Sequence, residues 1–325
     1  MKIAVLDDYQ NATPGLRAWA QLAGHEVAVF NDTLKDQDAL VERLREFEAL
    51  ALIRERTRFP AALLERLPKL RALSQTGKAG PHIDIAACTR LGIAVLEGTG
   101  NPYATSELTW GLVLAAMRRI PQEVENLKRG GWQSSVGLGL RGRTLGVYGF
   151  GKIGAVVAGY GRAFGMKVQV FGREGSRARA EAEGYVYVAS REQFFETSDV
   201  LALHVRLAPE TRCLIRRTDL DRMKPTAVFV NTSRAELIEP GALAAALAAG
   251  RPGAAAVDVY EEEPVRGAAQ PLLSQPNAIC TPHLGYVERD GYELYFGTTF
   301  GNLAAFADGR PQNVANPDYA GAVRR

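Results

Sequence analysis

The segment Thr144-Leu-Gly-Val-Tyr-Gly-Phe-Gly-Lys-Ile-Gly154 decides the fold of this chain. It begins as an apolar strand, turns through a G-x-G-x-x-G pattern and continues as a predicted helix. Gly149 permits the tight turn, Gly151 lets a pyrophosphate approach the backbone, and Gly154 lets the helix pack against the strand. The free N–H groups at the helix N-terminus then favour an anion. Because a second strand is predicted at 167–171, we interpret the segment as a dinucleotide site rather than a turn without a ligand.

The composition is that of an ordinary globular protein, with 325 residues that are 46% hydrophobic and 23% charged. The net charge of +3 remains from 39 basic and 36 acidic side chains, so it points neither to nucleic acid nor to a membrane surface. The apolar start of the chain predicts a strand rather than a signal peptide, and no apolar run approaches membrane-spanning length. Cys88, Cys213 and Cys280 are scattered and odd in number, which predicts reduced thiols in a cytoplasmic protein.

Strands and helices alternate along the first hundred residues, which predicts a parallel, doubly wound sheet. The predicted strands are Ile3–Leu6, Glu26–Phe30, Ala49–Ile53, Ala72–Gln75 and Ile93–Val95. The predicted helices are Gly15–Leu22, Asp38–Glu46, Ala61–Leu67 and Ile83–Leu91. Asn101-Pro102 then marks a break. We expect a long helix over 104–119 that Pro121 closes, a second helix over 122–129 and a glycine-rich loop over 132–142.

A second alternating region starts at Thr144 and predicts a fuller parallel sheet. Its predicted strands are 144–148, 167–171, 185–188, 200–205, 227–230, 254–258 and 278–281. Its predicted helices are 152–164, 175–183, 191–196, 217–223 and 240–249. A last helix over 287–307 has no strand after it in this sheet, so we expect it to return to the first sheet. The predicted domains are therefore 1–103 with 286–325, and 104–285, which contains the dinucleotide motif.

Three reactive side chains follow neighbouring predicted strands of the second sheet. Arg234 follows strand 227–230, Glu263 follows 254–258, and His283 follows 278–281. Ligands of open parallel sheets bind at the carboxyl ends of strands, where the glycine turn also lies. Arginine offers a planar fork for a carboxylate, and histidine can give a proton to a carbonyl oxygen as hydride reaches its carbon. The set predicts hydride transfer at a 2-keto or 2-hydroxy acid.

Several alternatives stay open at this stage. Glu263 lies in a run with Glu261 and Glu262, and spacing alone does not choose among the three. His204 ends a predicted strand, where contact with a cofactor and plain packing are both open. His82 sits beside a proline before a helix, where we expect it to be structural.

The motifs together resemble the D-isomer-specific 2-hydroxyacid dehydrogenases, a family that includes D-3-phosphoglycerate dehydrogenase, glyoxylate/hydroxypyruvate reductase and formate dehydrogenase. The resemblance covers nearly the whole chain. It rests on the glycine turn and on three further motifs in the family's order: Val230-Asn-Thr-Ser-Arg234, Val257-Asp-Val-Tyr-Glu-Glu-Glu263-Pro264 and Thr281-Pro-His283-Leu-Gly285.

The resemblance implies a Rossmann cofactor domain inserted in a discontinuous flavodoxin-like substrate domain, and a homodimer built largely on the cofactor domains. It implies that Arg234 binds the substrate carboxylate and carbonyl, that His283 is the acid/base, and that Glu263 is its partner. It also implies that Asp258 holds the nicotinamide side of the cofactor and that Thr232 lies against the cofactor. The complete predicted cofactor set is Gly149, Gly151, Lys152, Ile153, Gly154, Gly172, Arg173, His204, Thr232, Ser233, Asp258 and Gly285.

Two positions depart from the family pattern. Many members have an acidic residue at the end of the second strand that binds the adenosine ribose, and this chain has Gly172 followed by Arg173. We expect NADP to be accepted, because a carboxylate that would repel a 2′-phosphate is missing and Arg173 can pair with one. The alternative is that Arg173 stacks on adenine or faces solvent and NAD is used.

The second departure is the substrate loop, which reads Gly77-Lys-Ala-Gly-Pro-His-Ile-Asp84. Pro81 has no N–H to give to a carboxylate, whereas Lys78 adds a cation, and Arg54 follows a neighbouring strand. The predicted substrate site consists of Arg54, Gly77, Lys78 and Arg234. The cations Lys78 and Arg54 favour an acid with a second negative group such as phosphate. The alternative is that the cations are solvated surface charges.

The resulting prediction is an NAD(P)-dependent D-2-hydroxyacid dehydrogenase that acts on a small acid, such as glyoxylate, hydroxypyruvate or 3-phosphoglycerate. An alternative from another class is a dinucleotide-sensing corepressor, which has less need of all three reactive side chains. A reaction like that of formate dehydrogenase is disfavoured, because it requires glutamine in place of Glu263. We expect no metal, nucleic-acid or membrane partner.

Overall fold

The structure is a computed structural model that describes residues 1–267 and 270–321. It divides into two compact units: unit 1 comprises Met1–Asn101 and the chain from Glu288 onward, and unit 2 comprises Pro102–Val287. The predicted boundaries at 103/104 and 285/286 each lie two residues from these. The last four residues of the predicted substrate domain, 322–325, lie outside the described part of the chain.

The strands and helices are numbered in chain order. The strands are β1 (Lys2–Val5), β2 (Glu26–Val29), β3 (Ala49–Leu52), β4 (Ala72–Gln75), β5 (Ala94–Glu97), β6 (Thr144–Tyr148), β7 (Lys167–Phe171), β8 (Val186–Tyr187), β9 (Val200–Leu203), β10 (Val228–Asn231), β11 (Ala254–Val257) and β12 (Ala278–Cys280). The α-helices are α1 (Gln37–Leu44), α2 (Ala61–Leu64), α3 (Ile85–Arg90), α4 (Pro102–Met117), α5 (Ile120–Lys128), α6 (Lys152–Ala163), α7 (Glu174–Ala182), α8 (Arg191–Thr197), α9 (Arg217–Leu220), α10 (Ala242–Ala248) and α11 (Arg289–Ala307).

Unit 1 contains a five-stranded parallel sheet in the order β2-β1-β3-β4-β5. Strands such as β3 are buried along their whole length, because helices cover both faces of a parallel sheet. The helix α11 returns to this unit, where the hydroxyl of Ser74 on β4 donates to the carbonyl of Thr299 at 3.0 Å. Phe296 and Phe300 of α11 are fully buried. The predicted return of the last helix is therefore confirmed.

Unit 2 contains a seven-stranded parallel sheet in the order β12-β11-β10-β9-β6-β7-β8. The order reverses between β9, β6 and β7, so the glycine turn after β6 lies at the switch point where α/β sheets bind ligands. Two buried apolar clusters form its core, one on each face of the sheet, and they contain residues such as Val147 and Val170 or Phe194 and Phe229. The predicted α/β fold with two parallel sheets is confirmed.

Some predicted elements were wrong in type or in boundary. The predicted helix Gly15–Leu22 is a 3₁₀ helix over Arg17–Leu22, because Leu16 is extended and separates it from the turn Thr13–Gly15. Pro102 begins α4 instead of preceding it, since the first helical turn needs no proline N–H.

Pro121 does not close α4 either, because it lies in the first turn of α5. The break between the two helices is made by Arg119, whose backbone is left-handed with φ of +52°. Across the described ranges, no helix is both long and apolar enough to cross a bilayer.

Candidate active site

The turn between β6 and α6 is built so that only glycine fits at two of its positions. Gly149 has φ of +94°, and a Cβ there would lie 2.6 Å from the carbonyl oxygen of His204. A Cβ on Gly154 would collide with the carbonyl oxygen of Gly149, so this glycine permits the close approach of helix and turn. At Gly151 a Cβ would meet no atom within 4 Å, which leaves open space over the backbone.

The N-terminus of α6 follows this open space. Gly151 caps the helix without a side-chain hydrogen bond, and among the described residues the first-turn N–H groups of Lys152 and Ile153 have no partner. Exposed N–H groups at the positive end of a helix dipole suit a pyrophosphate. The donor set and the glycine cradle therefore fit the diphosphate of a dinucleotide.

The end of β7 carries no carboxylate. A Cβ on Gly172 would lie 3.0 Å from the hydroxyl oxygen of Ser176, and the Tyr187 hydroxyl donates to the Gly172 carbonyl at 2.6 Å. Arg173 is exposed, and nowhere in the described chain does a hydrogen bond or ion pair hold its guanidinium. Nearby Arg177 is instead paired with Glu181 at 3.0 Å.

The loop after β10 presents Arg234 and is held by its own side chains. The Asn231 amide donates to the Arg234 carbonyl at 2.9 Å, and the Ser233 hydroxyl donates to the Leu203 carbonyl at 2.7 Å. Thr232 is buried and hydrogen-bonds through its hydroxyl to Thr109 at 2.7 Å. Because Thr109 gives its own hydroxyl proton to the Thr105 carbonyl at 2.7 Å, Thr232 is the donor to Thr109. The hydroxyl protons of Thr232 and Ser233 are thus used inside unit 2, so toward a cofactor these side chains offer lone pairs.

Glu263 and His283 form the central contact of the site. Nδ1 of His283 lies 2.5 Å from Oε2 of Glu263, and the two side chains are 20% and 26% exposed. The other carboxylate oxygen accepts the backbone N–H of Tyr260 at 3.0 Å. The hydrogen bond decides among the three glutamates, since Glu261 instead accepts from Gln270. With Nδ1–H given to the carboxylate, Nε2 of the ring remains for proton exchange with a ligand.

Asp258 anchors the loop that carries this histidine. Its buried carboxylate accepts the Thr281 hydroxyl at 2.6 Å, the Leu284 N–H at 2.7 Å and the Gly285 N–H at 2.8 Å. Burial raises the pKa of Asp258 above its ordinary value, and these hydrogen bonds oppose the rise. His283 has a left-handed backbone with φ of +53°, an unfavourable conformation that the anchored residues on both sides hold in place.

Gly285, which belongs to the predicted cofactor set, has both of its peptide groups engaged. Its N–H is given to Asp258, and its carbonyl accepts the Thr105 hydroxyl at 2.8 Å. Both peptide groups are therefore used within unit 2, and Gly285 presents no backbone donor.

His204 follows β9, beside the glycine turn. Both of its ring nitrogens are buried, and neither has a hydrogen-bond partner in the part of the chain that the structure describes. Burial lowers the pKa of His204 to about 4. Contact with a cofactor and plain packing therefore both stay open for His204.

The predicted substrate residues of unit 1 follow β3 and β4, and two of them are already engaged. The ammonium of Lys78 is paired with Glu97 at 2.6 Å, and its predicted role in substrate binding stays a prediction. The N–H of Gly77 donates to the Gln75 carbonyl at 2.9 Å and is not available to a carboxylate. Within the described residues, the N–H groups of Lys78 and Gly80 have no intramolecular partner. The Arg54 guanidinium lies over Gly77, with Nη1 3.2 Å from the position of a Cβ there.

Comparison with known proteins identifies the class. The family described as D-isomer specific 2-hydroxyacid dehydrogenase, NAD binding domain, matches residues 110–285. This chain belongs to the D-isomer-specific 2-hydroxyacid dehydrogenases. The dehydrogenase is thus an NAD-dependent oxidoreductase that acts on the CH–OH group of D-2-hydroxy acids and on the corresponding 2-keto acids.

Individual relatives cover most of the dehydrogenase. A glyoxylate reductase from Aeropyrum pernix is 37% identical over 290 residues, which are 86% of each chain. A D-3-phosphoglycerate dehydrogenase from Methanocaldococcus jannaschii is 37% identical over 80% of this chain but only 49% of its own length. The crystal structure of a phosphoglycerate oxidoreductase from Vibrio cholerae is 51% identical, with a TM-score of 0.93 over 95% of this chain and 99% of that one.

Several residues that support the site of the dehydrogenase were missed from sequence. Tyr260 fixes Glu263 through its N–H, and its hydroxyl donates to the Thr281 carbonyl at 3.0 Å. Thr105 and Thr109 of α4 brace the loops that carry Gly285 and Thr232. The position of Tyr260 inside the motif that ends at Glu263 was the available indication. The two threonines had none, because their partners are more than a hundred residues away.

Proposed function

We propose that the dehydrogenase reduces a small 2-keto acid with His283 as the acid, Glu263 as its partner and Arg234 as the carboxylate ligand. The observation that carries this proposal is the 2.5 Å contact between Glu263 and Nδ1 of His283. A carboxylate in contact with one ring nitrogen orients the ring and stabilises the imidazolium, so that Nε2 can give its proton. The bound nicotinamide supplies the hydride.

The three residues follow adjacent strands, β10, β11 and β12, which supports their acting together. In this proposal the Arg234 guanidinium binds the substrate carboxylate in a bidentate manner and orients the carbonyl. The His283 proton goes to the carbonyl oxygen, and in the oxidation direction the same nitrogen takes it back.

The test is turnover of His283→Asn and Glu263→Gln with glyoxylate and hydroxypyruvate. We expect His283→Asn to lower kcat by at least about 100-fold, and Glu263→Gln by about 10-fold or more, with the dissociation constant of the reduced cofactor within about twofold of the wild type. Asparagine also tolerates the left-handed backbone at 283, so a folded variant is expected. Wild-type turnover retained in His283→Asn would refute the assignment.

We propose a small unphosphorylated 2-keto acid such as glyoxylate or hydroxypyruvate as the first candidate substrate, and phosphohydroxypyruvate as the second. The glyoxylate reductase relative supports the first, and the pairing of Lys78 with Glu97 weakens the case for a phosphate. The phosphoglycerate relatives and the Arg54 guanidinium beside Gly77 support the second.

A panel of these acids separates the two candidates. Lys78→Ala supplies the control, because it should lower activity toward phosphohydroxypyruvate relative to glyoxylate only if Lys78 leaves Glu97 to bind phosphate. An unchanged activity ratio in Lys78→Ala would eliminate that role.

For the cofactor, we propose that NADPH is accepted beside NADH. A carboxylate is absent at Gly172, a side chain there would press on Ser176, and the unpaired Arg173 guanidinium is exposed at the same strand end. The measurement is kcat/KM with both reduced cofactors for the wild type and Arg173→Ala. We expect the substitution to cost about tenfold with NADPH and about twofold or less with NADH. A wild type that strongly prefers NADH, with equal small losses in Arg173→Ala, would contradict it.

We further propose a homodimer built on unit 2. The helix α5 carries three apolar side chains that are about half exposed, Ile120, Val124 and Leu127, along one face. They line a cavity of about 420 Å³ together with Arg118 and Glu123.

A cytoplasmic location is proposed from the three cysteines, which all lie in described parts of the chain and are free.

A further inference from the structure

One buried side chain, that of Gln75, connects His82 to the backbone of Arg54 in unit 1. Nε2 of His82 lies 3.2 Å from Oε1 of Gln75, and Nε2 of Gln75 donates to the Arg54 carbonyl at 2.7 Å. Because the Gln75 amide nitrogen is the donor toward Arg54, its oxygen is the acceptor, and His82 donates through Nε2–H. His82 is 6% exposed and Gln75 is 1% exposed, so water does not compete for these bonds.

Arg54 needs such support because its backbone is left-handed. Its φ of +53° is unfavourable for a residue with a Cβ and persists only where its surroundings hold it. The Arg54 N–H donates to the Thr76 hydroxyl oxygen at 2.9 Å, and that hydroxyl donates to the Leu52 carbonyl at 2.9 Å. A hydrogen bond to Thr76 and one from Gln75 therefore hold the peptide groups on both sides of Arg54.

The Arg54 side chain extends from this backbone to the loop that follows β4. Nη1 of Arg54 is 3.2 Å from the position that a Cβ would occupy on Gly77. The loop from Gly77 to Gly80 is also where two backbone N–H groups, those of Lys78 and Gly80, have no partner among the described residues. A guanidinium beside unpaired N–H groups forms a receptor for a carboxylate.

We propose that His82 is a positioning residue for substrate binding, which acts through Gln75 to hold Arg54 beside this loop. The inference rests on the proposed function and adds to it that Arg54, besides Arg234, contributes to binding of the 2-keto acid. His82 has only to present an N–H at the Nε2 position, and it takes no part in proton transfer.

The first test compares His82→Leu with His82→Gln. Leucine fills similar space without a donor, whereas the glutamine amide nitrogen can occupy the position of Nε2. With cofactor saturating, we expect His82→Leu to raise the KM for glyoxylate about tenfold with kcat within about threefold of the wild type, since binding rather than chemistry is lost. His82→Gln should restore the KM to within about threefold. The dissociation constant of NADH should stay unchanged in both.

Gln75→Glu separates the relay from simple packing. It keeps an acceptor for His82 but replaces the donor to the Arg54 carbonyl with a carboxylate oxygen, so we expect a KM at least as high as in His82→Leu. If His82→Leu leaves the KM unchanged, or if Leu and Gln at 82 raise it equally, the relay is refuted.

A double-mutant cycle shows whether His82 acts through Arg54. In an Arg54→Ala background, His82→Leu should raise the KM no further, whereas an independent contribution would multiply the two effects. If the wild type turns over no 2-keto acid, the proposed function fails, and the same four proteins are compared by the calorimetric Kd of oxalate with NAD present. Coupled losses of oxalate binding would then support the relay. Additive losses, or no oxalate binding by the wild type, would overturn it.

Discussion

At the scale of single residues, His204 makes the stability of unit 2 depend on pH. Its pKa is lowered by burial from 6.5 to about 4, so the folded unit holds the ring neutral where the unfolded chain already binds a proton. Between these two values the unfolded state carries more protons, and stability is lost as the pH falls. The contribution is about 1.4 kcal/mol for each pH unit below 6.5, and the loss ends near pH 4.

We therefore predict that the wild type loses stability more steeply than His204→Leu between pH 6.5 and 4.5, without cofactor. Urea denaturation at several pH values measures the difference, and the same comparison at pH 8 gives the packing cost of the substitution alone. Parallel stability curves for the two proteins would contradict the assigned pKa.

Arg191 stabilises unit 2, because its side chain hydrogen-bonds to residues of three different segments. Its guanidinium donates twice to Asp219 at 2.7 Å, once to the Tyr148 hydroxyl at 2.7 Å and once to the Leu214 carbonyl at 2.5 Å. The planar fork makes four bonds that a lysine ammonium cannot reproduce.

We expect Arg191→Lys to lower the free energy of unfolding by about 1–3 kcal/mol. The matched control is Arg217→Lys, whose exposed pairing with Asp221 one helical turn away should change stability by less than about 0.5 kcal/mol. Equal effects of the two substitutions in chemical denaturation would show that the network adds nothing.

At the scale of elements, α6 packs closely against the turn that precedes it because Gly154 has no side chain. Gly154→Ala should force the helix away from the turn, lower stability by about 1–3 kcal/mol and weaken NADH binding, because its Cβ meets the Gly149 carbonyl. Gly159 lies in the same helix with no atom within 4 Å of a Cβ, so Gly159→Ala should raise stability by about 0.5–1 kcal/mol. Fluorescence titration with NADH and thermal unfolding compare the two. A neutral Gly154→Ala would contradict the packing argument.

The sheets of both units could be predicted from sequence because buried parallel strands are short apolar runs, such as Ala49–Leu52 or Val200–Leu203. Helix ends were less predictable, since a proline reads as a stop although Pro102 and Pro121 both lie in first turns.

The candidate site also has a part that could be predicted from sequence and a part that could not. Motifs placed His283 and Glu263 in the same neighbourhood, but the choice of Glu263 depends on a hydrogen bond across 20 residues. The pairing of Lys78 with Glu97 joins the ends of β4 and β5, and the use of the Gly77 N–H depends on a local turn. Contacts of this kind follow from strand pairing and backbone angles, which composition and spacing do not encode.

At the scale of the whole molecule, the proposed dimer makes the exposed face of α5 a determinant of assembly. Val124→Arg places a charge among Ile120 and Leu127 and should shift the protein from dimer to monomer in light scattering after size exclusion. Val186→Arg, on the exposed edge strand β8 of the same unit, is the control and should leave the mass unchanged. A monomeric wild type, or the same shift in both variants, would reject this surface.

The discontinuity of unit 1 has a consequence for biosynthesis. The strands of the first sheet are translated before unit 2, whereas Phe296 and Phe300, which complete its core, are translated after the whole of unit 2. Unit 2 is contiguous and can close its core while translation continues. A nascent chain arrested before Glu288 would thus contain a folded unit 2 and a first sheet whose apolar residues are still exposed. We expect chaperones to bind these exposed residues until α11 emerges.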